Sequence, residues 1–304
     1  MYDLVILGGG PAGLAAAAYA IRKGISFLLV AEALGGKSMH RVTIPGATEH
    51  HVVRPDQLIA GFRRELEYLK DRLCIGTVTG VAAENGGYRV TATVDGATTE
   101  IQSTLLLVAT GTSVRRLGVS GEREFAGRGL GYSTVSYSHL LRDRSIFLYG
   151  DSRRTVEAAM EAAGFARTII LLLEPLGKYH EIYRERIESV KNIVLLESQT
   201  VAAFRGEESC DLVELVTSDG EREEYRADAF FVELSPTPNS AIVAHLVETD
   251  ETGAIVVDTS NRTSADGIYA AGDVTNVGFE QIMVAIGEGT KALLSAYRRV
   301  FHAP

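Results

Sequence analysis

Three short stretches of the chain hold residue types whose spacing could do chemistry. In GGGPAG, residues 8–13, Gly8, Gly10 and Gly13 stand in G-x-G-x-x-G spacing. That spacing suits a pyrophosphate: the first glycine permits a tight turn, the second lets phosphate approach the backbone, and the third lets helix and strand pack closely. In GLGYSTVSYSH, residues 129–139, hydroxyls and an imidazole crowd together, Tyr132, Ser133, Ser136, Tyr137 and His139 among them. An imidazole there could shuttle protons near neutral pH, although a surface histidine at a helix start reads the same way. In AAGDV, residues 270–274, Asp273 follows an apolar run and could accept a hydroxyl bond from a sugar-like chain.

The elements that must position these residues are legible. YDLVILGGG is an apolar run of the kind buried in a parallel sheet. PAGLAAAAYAIRKG is helical, with Gly24 as its stop, and ISFLLVAE is a second buried strand ending at Glu32. Strand, helix, strand in this order demands a right-handed crossover. The pattern recurs over residues 145–174, and the interval from Gly13 to Glu32 equals that from Thr155 to Glu174. Two such units in one chain predict two nucleotide-binding-type domains. Hairpins are expected about Asp95-Gly96 and Asp219-Gly220, each followed by a buried strand. The segment 243–304 ends in a helix starting near Gln281 and is too short to stand alone, so it returns to the first domain. The expected fold is α/β: two Rossmann-like three-layer domains, the second inserted in the first. The first covers 1–115 and 243–304, the second 116–242.

Composition narrows the function. The 304 residues are 46% hydrophobic and 23% charged, an ordinary globular balance. A net charge of −9 argues against nucleic acid, which needs a basic face. No apolar run reaches the roughly 18 residues of a membrane span, and the first residues enter a strand at once, so cytoplasm is the expectation. Cys74 and Cys210 fall in different domains without a C-x-x-C partner, which leaves neither a disulfide framework nor a cysteine metal site; no metal is expected. His40, His50 and His51 lack metal spacing and read as surface positions.

As a set, GGGPAG, LGGK (34–37), ATG (109–111) and GIYAAGDVTNVGFEQIMVAIGEG (267–289) resemble the low-molecular-weight thioredoxin reductases. These are FAD proteins of the pyridine nucleotide-disulfide oxidoreductase group. The likeness covers almost the whole chain in the same order. It implies FAD, with its pyrophosphate held by Gly8, Gly10, Pro11, Ala12 and Gly13. Gly35, Gly36 and Lys37 would lie along the cleft, Lys37 where the family commonly has glutamine. Ala109, Thr110 and Gly111 would pass close to the flavin nucleotide, and Gly272 and Asp273 would meet the ribityl chain. Gln281 and Ile282 would touch the isoalloxazine end. Glu32 would hold ribose hydroxyls, although many members place that acid one residue earlier, at Ala31 here. The resemblance also implies a homodimer, and places His40, His50 and His51 in the loop region near the flavin cleft.

The departures from the family carry the functional question. The likeness sets Ser133 and Ser136 on the two cysteines of the family's redox pair, and a serine hydroxyl can neither form an S–S bond nor act as a thiolate. The second glycine-rich turn reads Gly150-Asp151-Ser152-Arg153-Arg154-Thr155, with a side chain and a negative charge where phosphate should approach. Arg153 and Arg154 could bind an anion, or simply start a solvated helix. After the next strand stands Glu174, which would repel the 2′-phosphate of NADPH and could bind the free 2′-hydroxyl of NADH. NADPH is therefore not expected; NADH stays open as an alternative. The leading expectation is an FAD-dependent oxidoreductase without a disulfide relay. Its FAD would exchange electrons directly with a small molecule or a redox protein such as ferredoxin. Tyr132, Ser133, Ser136, Tyr137 and His139 would then face the isoalloxazine, a tyrosine stacking where a nicotinamide would otherwise sit. The alternatives are an NADH-dependent flavin oxidoreductase and a non-enzymatic flavin-binding or redox-sensing protein. A cysteine-free relative that works with ferredoxin uses an aromatic C-terminal extension; Phe301 and His302 are the stand-ins here.

Overall fold

The computed structural model describes residues 1–47, 57, 60–62, 64, 70–84, 86–175 and 180–302. Alternation of buried aliphatic residues organises its first part. In strand β1 (Tyr2–Leu7), Leu4 and Ile6 enter one core while Val5 and Leu7 enter another. Side chains alternate across a strand, so both faces of the sheet are covered. The helix Pro11–Lys23 follows, with proline at its start and Gly24 at φ 68° ending it. Then come β2 (Phe27–Ala31), β3 (Leu73–Ile75), β4 (Thr77–Glu84), β5 (Gly87–Val94) and β6 (Ala97–Val108). The sheet order is β3-β2-β1-β6-β5-β4. Leu4 pairs in parallel with Phe27 on one side and Leu105 on the other. β4, β5 and β6 form an antiparallel meander, and Asp95 (φ 49°) and Gly96 (φ 80°) make the expected tight turn. A short β7 (Thr112–Ser113) closes this section.

A second parallel sheet follows, with β8 (Leu130–Gly131), β9 (Ser145–Gly150), the helix Arg153–Ala163, β10 (Thr168–Leu173), the helix His180–Glu188 and β11 (Ile193–Leu196). An antiparallel sheet of β12 (Gln199–Gly206), β13 (Cys210–Thr217) and β14 (Arg222–Arg226) precedes β15 (Ala229–Glu233). The parallel order is β11-β10-β9-β15-β8. Here too the strands split their side chains between two cores. Ile146, Leu148 and Phe231 enter one; Phe147, Tyr149 and Phe230 enter the other.

The chain then returns to the first sheet. β16 (Thr237–Pro238) pairs with β7, and β17 (Ile268–Ala270) lies parallel to the second half of β6. The helix Ile282–His302 packs on the helix Pro11–Lys23 at backbone distance: a Cβ on Gly289 would fall 2.0 Å from the Ala12 carbonyl.

Contacts divide the described residues into two compact units. The first takes in those of 1–39, 52–113 and 237–304, the second those of 40–51 and 114–236. The sequence reading sets the crossings at 115/116 and 242/243. The β7–β16 pairing keeps residues up to 113 and from 237 in the first unit. Residues 40–47 belong to the second unit because Val42 and Ile44 are buried in its core beside Leu141 and Phe231. His40 therefore belongs to the second unit and is exposed. His50, His51 and the side chains of Phe301 and His302 lie outside the described residues. Among the described residues no helix is long and apolar enough to cross a membrane.

Candidate functional site

The first glycine turn has the shape its sequence implies. Gly8 has φ 111°, and a Cβ there would meet the Ala109 carbonyl oxygen at 2.3 Å. A Cβ on Gly13 would lie 1.9 Å from the Gly8 carbonyl oxygen. These two glycines are therefore required by the fold itself. Gly10 differs: nothing lies within 4 Å of where its Cβ would be. It precedes the helix Pro11–Lys23, which carries no capping side chain and no acidic residue in its first turn. The N–H groups and positive dipole end are thus left to an anion. Gly36 has φ 53° and would set a Cβ 3.2 Å from Gly10 Cα, so the LGGK loop lines the same cradle. Glu32 is the first residue after β2 and is exposed.

Lys37 gathers this cradle together. Its ammonium donates to Thr112 Oγ1 at 2.5 Å and to Glu280 Oε2 at 2.5 Å, and pairs with Asp273 Oδ2 at 2.8 Å. Those three partners use all three donors of an ammonium. Asp273 follows β17, and Gly272 before it (φ 74°) packs against Ala12 and Ala285. Gln281 accepts from the Ala285 N–H through its carbonyl at 2.9 Å, so it is the residue at which the last helix starts, just ahead of Ile282.

Asn239 fixes the ATG turn. Its side-chain amide donates to the Thr110 carbonyl at 2.9 Å, its N–H donates to the Gly111 carbonyl at 3.0 Å, and its carbonyl accepts the Thr110 hydroxyl at 2.7 Å. Ala109 is buried against the first glycine turn. Thr112, Glu280, Asn239 and Gly289 escaped sequence reasoning. Thr112 and Glu280 stand next to Gly111 and Gln281, and Gly289 closes the motif 267–289; Asn239 has no such neighbour.

In the second unit, Ser133 Oγ and Ser136 Oγ lie 2.9 Å apart. The 3₁₀ turn Val135–Leu141 that carries Ser136 is anchored by Leu140 and Leu141 in the core, and His139 is exposed on it. Tyr132 and Tyr137 part company. The Tyr132 ring packs with the Phe147 and Phe230 cluster under the Arg116 guanidinium, and its hydroxyl faces Glu122 Oε1 at 3.3 Å. Burial, with the Glu122 carboxylate adding to it, pushes the Tyr132 phenol up to about 12. Tyr137 packs instead with the Leu148 and Phe231 cluster, and its oxygen accepts the Val42 N–H at 3.0 Å.

The second glycine-rich turn is filled by its own side chains. Gly150 has no room for a Cβ, which would meet Thr155 Oγ1 at 2.1 Å. Ser152 caps the helix Arg153–Ala163 in a capping box with Thr155, whose buried hydroxyl donates to the Glu233 carbonyl at 3.0 Å. Each nearby arginine meets a carboxylate: Arg115 with Asp151 at 2.7 Å, Arg153 with Glu157 at 2.7 Å, Arg154 with Glu233 at 3.1 Å. Glu233 is only 1% exposed and also accepts the Thr134 N–H at 2.7 Å. Glu174 accepts the Tyr149 hydroxyl at 2.8 Å, and burial together with that carboxylate pushes the Tyr149 phenol up. A pyrophosphate here would meet the Asp151 carboxylate and the Ser152 side chain, with the arginine charge already matched. These residues do not fit it. The residues of the first turn do.

The family model of the pyridine nucleotide-disulphide oxidoreductases matches residues 2–289. The chain belongs to that family. It is similar to thioredoxin reductase from Streptococcus pyogenes, with a TM-score of 0.87 and 25% identity over 100% of this chain and 99% of that one. It is 30% identical to a component of the alkyl hydroperoxide reductase of Pseudomonas aeruginosa, over 97% of this chain and 58% of that protein. It is 28% identical to NADH dehydrogenase of Bacillus subtilis, again over 97% of this chain and 58% of that protein. The chain thus spans 58% of the length of these two relatives.

Proposed function

We propose that this protein is an FAD-dependent oxidoreductase in which electrons reach and leave the flavin without a thiol pair. The observation that carries the reading is the 2.9 Å hydroxyl pair of Ser133 and Ser136, in the place that the resemblance gives to two cysteines. A hydroxyl pair can neither form an S–S bond nor act as a thiolate. FAD, when bound, supplies the two-electron chemistry; the chain supplies its position. Gly10, Gly36 and the start of the helix Pro11–Lys23 would hold the pyrophosphate, Glu32 the ribose, Asp273 the ribityl hydroxyls, and Gln281 and Ile282 the ring end. Ser133, Ser136 and His139 would supply hydroxyl and proton-carrying groups to a small-molecule donor or acceptor. A redox protein such as ferredoxin is the other electron source the reading allows.

A second reading, NADH as donor, is favoured by Glu174 at the end of β10 and opposed by the filled turn at Gly150–Thr155. One experiment separates them. The flavin spectrum of the purified protein is recorded anaerobically, and NADH, NADPH, reduced ferredoxin and dithionite are added in turn. Bleaching by ferredoxin or dithionite but not by either nicotinamide supports the proposal; rapid bleaching by NADH overturns it in favour of the second reading. If no donor and acceptor pair supports turnover, a flavin-binding or sensing role takes its place.

A further inference from the structure

We propose that the Lys37–Glu280 pair sets the reduction potential of the flavin, Lys37 raising it and Glu280 lowering it. The inference rests on the reading above that FAD occupies the first unit. Under the resemblance Lys37 takes the place of an uncharged glutamine, so its charge is not something that likeness supplies. The ammonium is not a loose surface group: its side chain is 28% exposed, and Asp273 and Glu280 are 17% and 18% exposed. It ties together four stretches of chain: the LGGK loop, the start of β7 at Thr112, the turn after β17 at Asp273, and the approach to the last helix at Glu280. Each of these adjoins a residue assigned to the cofactor: Gly35 and Gly36, Gly111, Asp273 itself, and Gln281. A cation and two anions are thus held in fixed positions along the cleft, in partial shelter from water, where charge acts more strongly than at an open surface.

Two-electron reduction at neutral pH leaves negative charge on an isoalloxazine ring. A fixed cation close by favours the reduced form, and a fixed anion disfavours it. In a disulfide reductase the flavin hands two electrons to a disulfide held by the same chain, which opens to a thiol pair. Without one, the flavin potential alone must match an outside donor and acceptor, and the protein's means of adjusting it is local charge.

The test is the midpoint potential of the bound flavin by anaerobic spectroelectrochemistry, in wild type, Lys37→Gln, Glu280→Gln and Thr112→Val. Lys37→Gln should lower the potential and Glu280→Gln should raise it. Each shift should correspond to about a tenfold change in the ratio of reduced to oxidised flavin at fixed potential, near 30 mV for a two-electron couple. Thr112→Val removes an uncharged partner of Lys37 and should leave the potential unmoved. Opposite signs distinguish charge from disorder, because loosening the cleft would move all three variants the same way. If Lys37→Gln fails to retain flavin, Glu280→Gln alone decides by the direction of its shift. Yellow protein whose charge variants shift together, or not at all, overturns this proposal and leaves the flavin reading intact. A wild-type protein that binds no flavin overturns the flavin reading, and this proposal with it.

Discussion

Glu233 accepts a hydrogen bond from the backbone N–H of Thr134 at 2.7 Å, from inside the core of the second unit. The same carboxylate pairs with Arg154 at the filled glycine turn. One buried acid therefore holds both the Gly150–Thr155 turn and the turn that carries Ser133 and Ser136. Replacing Glu233 by alanine takes the acceptor from the buried Thr134 N–H and removes the carboxylate that faces Arg154. We expect a loss of about 3 kcal/mol, near the lower end for breaking a buried pair because Arg154 is partly solvated. Glu233→Gln keeps an acceptor for Thr134 and should lose about half as much. Urea unfolding measures both; equal losses would show that charge, not the backbone bond, dominates.

The serine pair makes a covalent prediction. The Ser133 and Ser136 oxygens, 2.9 Å apart, bring the two side-chain ends together, as the short span of a disulfide requires. The variant Ser133→Cys/Ser136→Cys, oxidised mildly, should form an intramolecular bond. Thiol titration under denaturing conditions should then count only Cys74 and Cys210. Four free thiols after oxidation would mean that the turn does not hold the two positions together in solution.

The three glycines of the first turn should separate into two kinds. Gly13→Ala drives a methyl into the Gly8 carbonyl and should cost about 1–3 kcal/mol of stability even without cofactor. Gly10→Ala meets no protein atom and should leave the apoprotein melting temperature nearly unchanged. It should nonetheless weaken flavin binding about tenfold or more, about 1.4 kcal/mol, because its methyl enters the space left for phosphate. Apoprotein melting curves and flavin titration check the pair; a Gly10→Ala protein that binds flavin normally would place the pyrophosphate elsewhere.

Stability should fall on the alkaline side. Burial pushes the Cys210 thiol up to about 12 from an ordinary value near 9, and the Tyr132 phenol up to about 12 from near 10. Both groups stay protonated in the folded chain while the unfolded chain gives up its protons first. Their contribution is therefore intact below about pH 9 and is lost progressively as pH rises toward 12. Melting temperature across pH 8–11 reads this, and Cys210→Ala should flatten part of the slope. By the same burial, native Cys210 should resist thiol reagents that react with the half-buried Cys74.

What could be read from sequence followed local rules. Gly8, Gly13 and Gly24 each answer to a turn or close approach within one strand–helix unit, and the spacing showed it. The hairpin at Asp95-Gly96 needs two positive φ values that this dipeptide adopts readily. Lys37 was placed on the cleft by likeness, but its partners Thr112 and Glu280 come from segments far along the chain, and no local pattern joins them. Asn239 looked like loop because its bonds go to the backbone of Thr110 and Gly111, which lie far back in sequence. The parting of Tyr132 and Tyr137 into different cores depends on where the chain leaves β8 and enters a 3₁₀ turn, a bend that periodicity does not reveal.

The contact of Gly289 with Ala12 has a bearing on how the protein is made. The helix Ile282–His302 is synthesised long after the helix Pro11–Lys23 on which it packs. Until it arrives, the Gly8–Gly13 turn stands beside a sheet that still lacks β17, exposed to chaperones and to premature strand pairing. Completion of this unit therefore waits on a contact between two segments far apart in the chain.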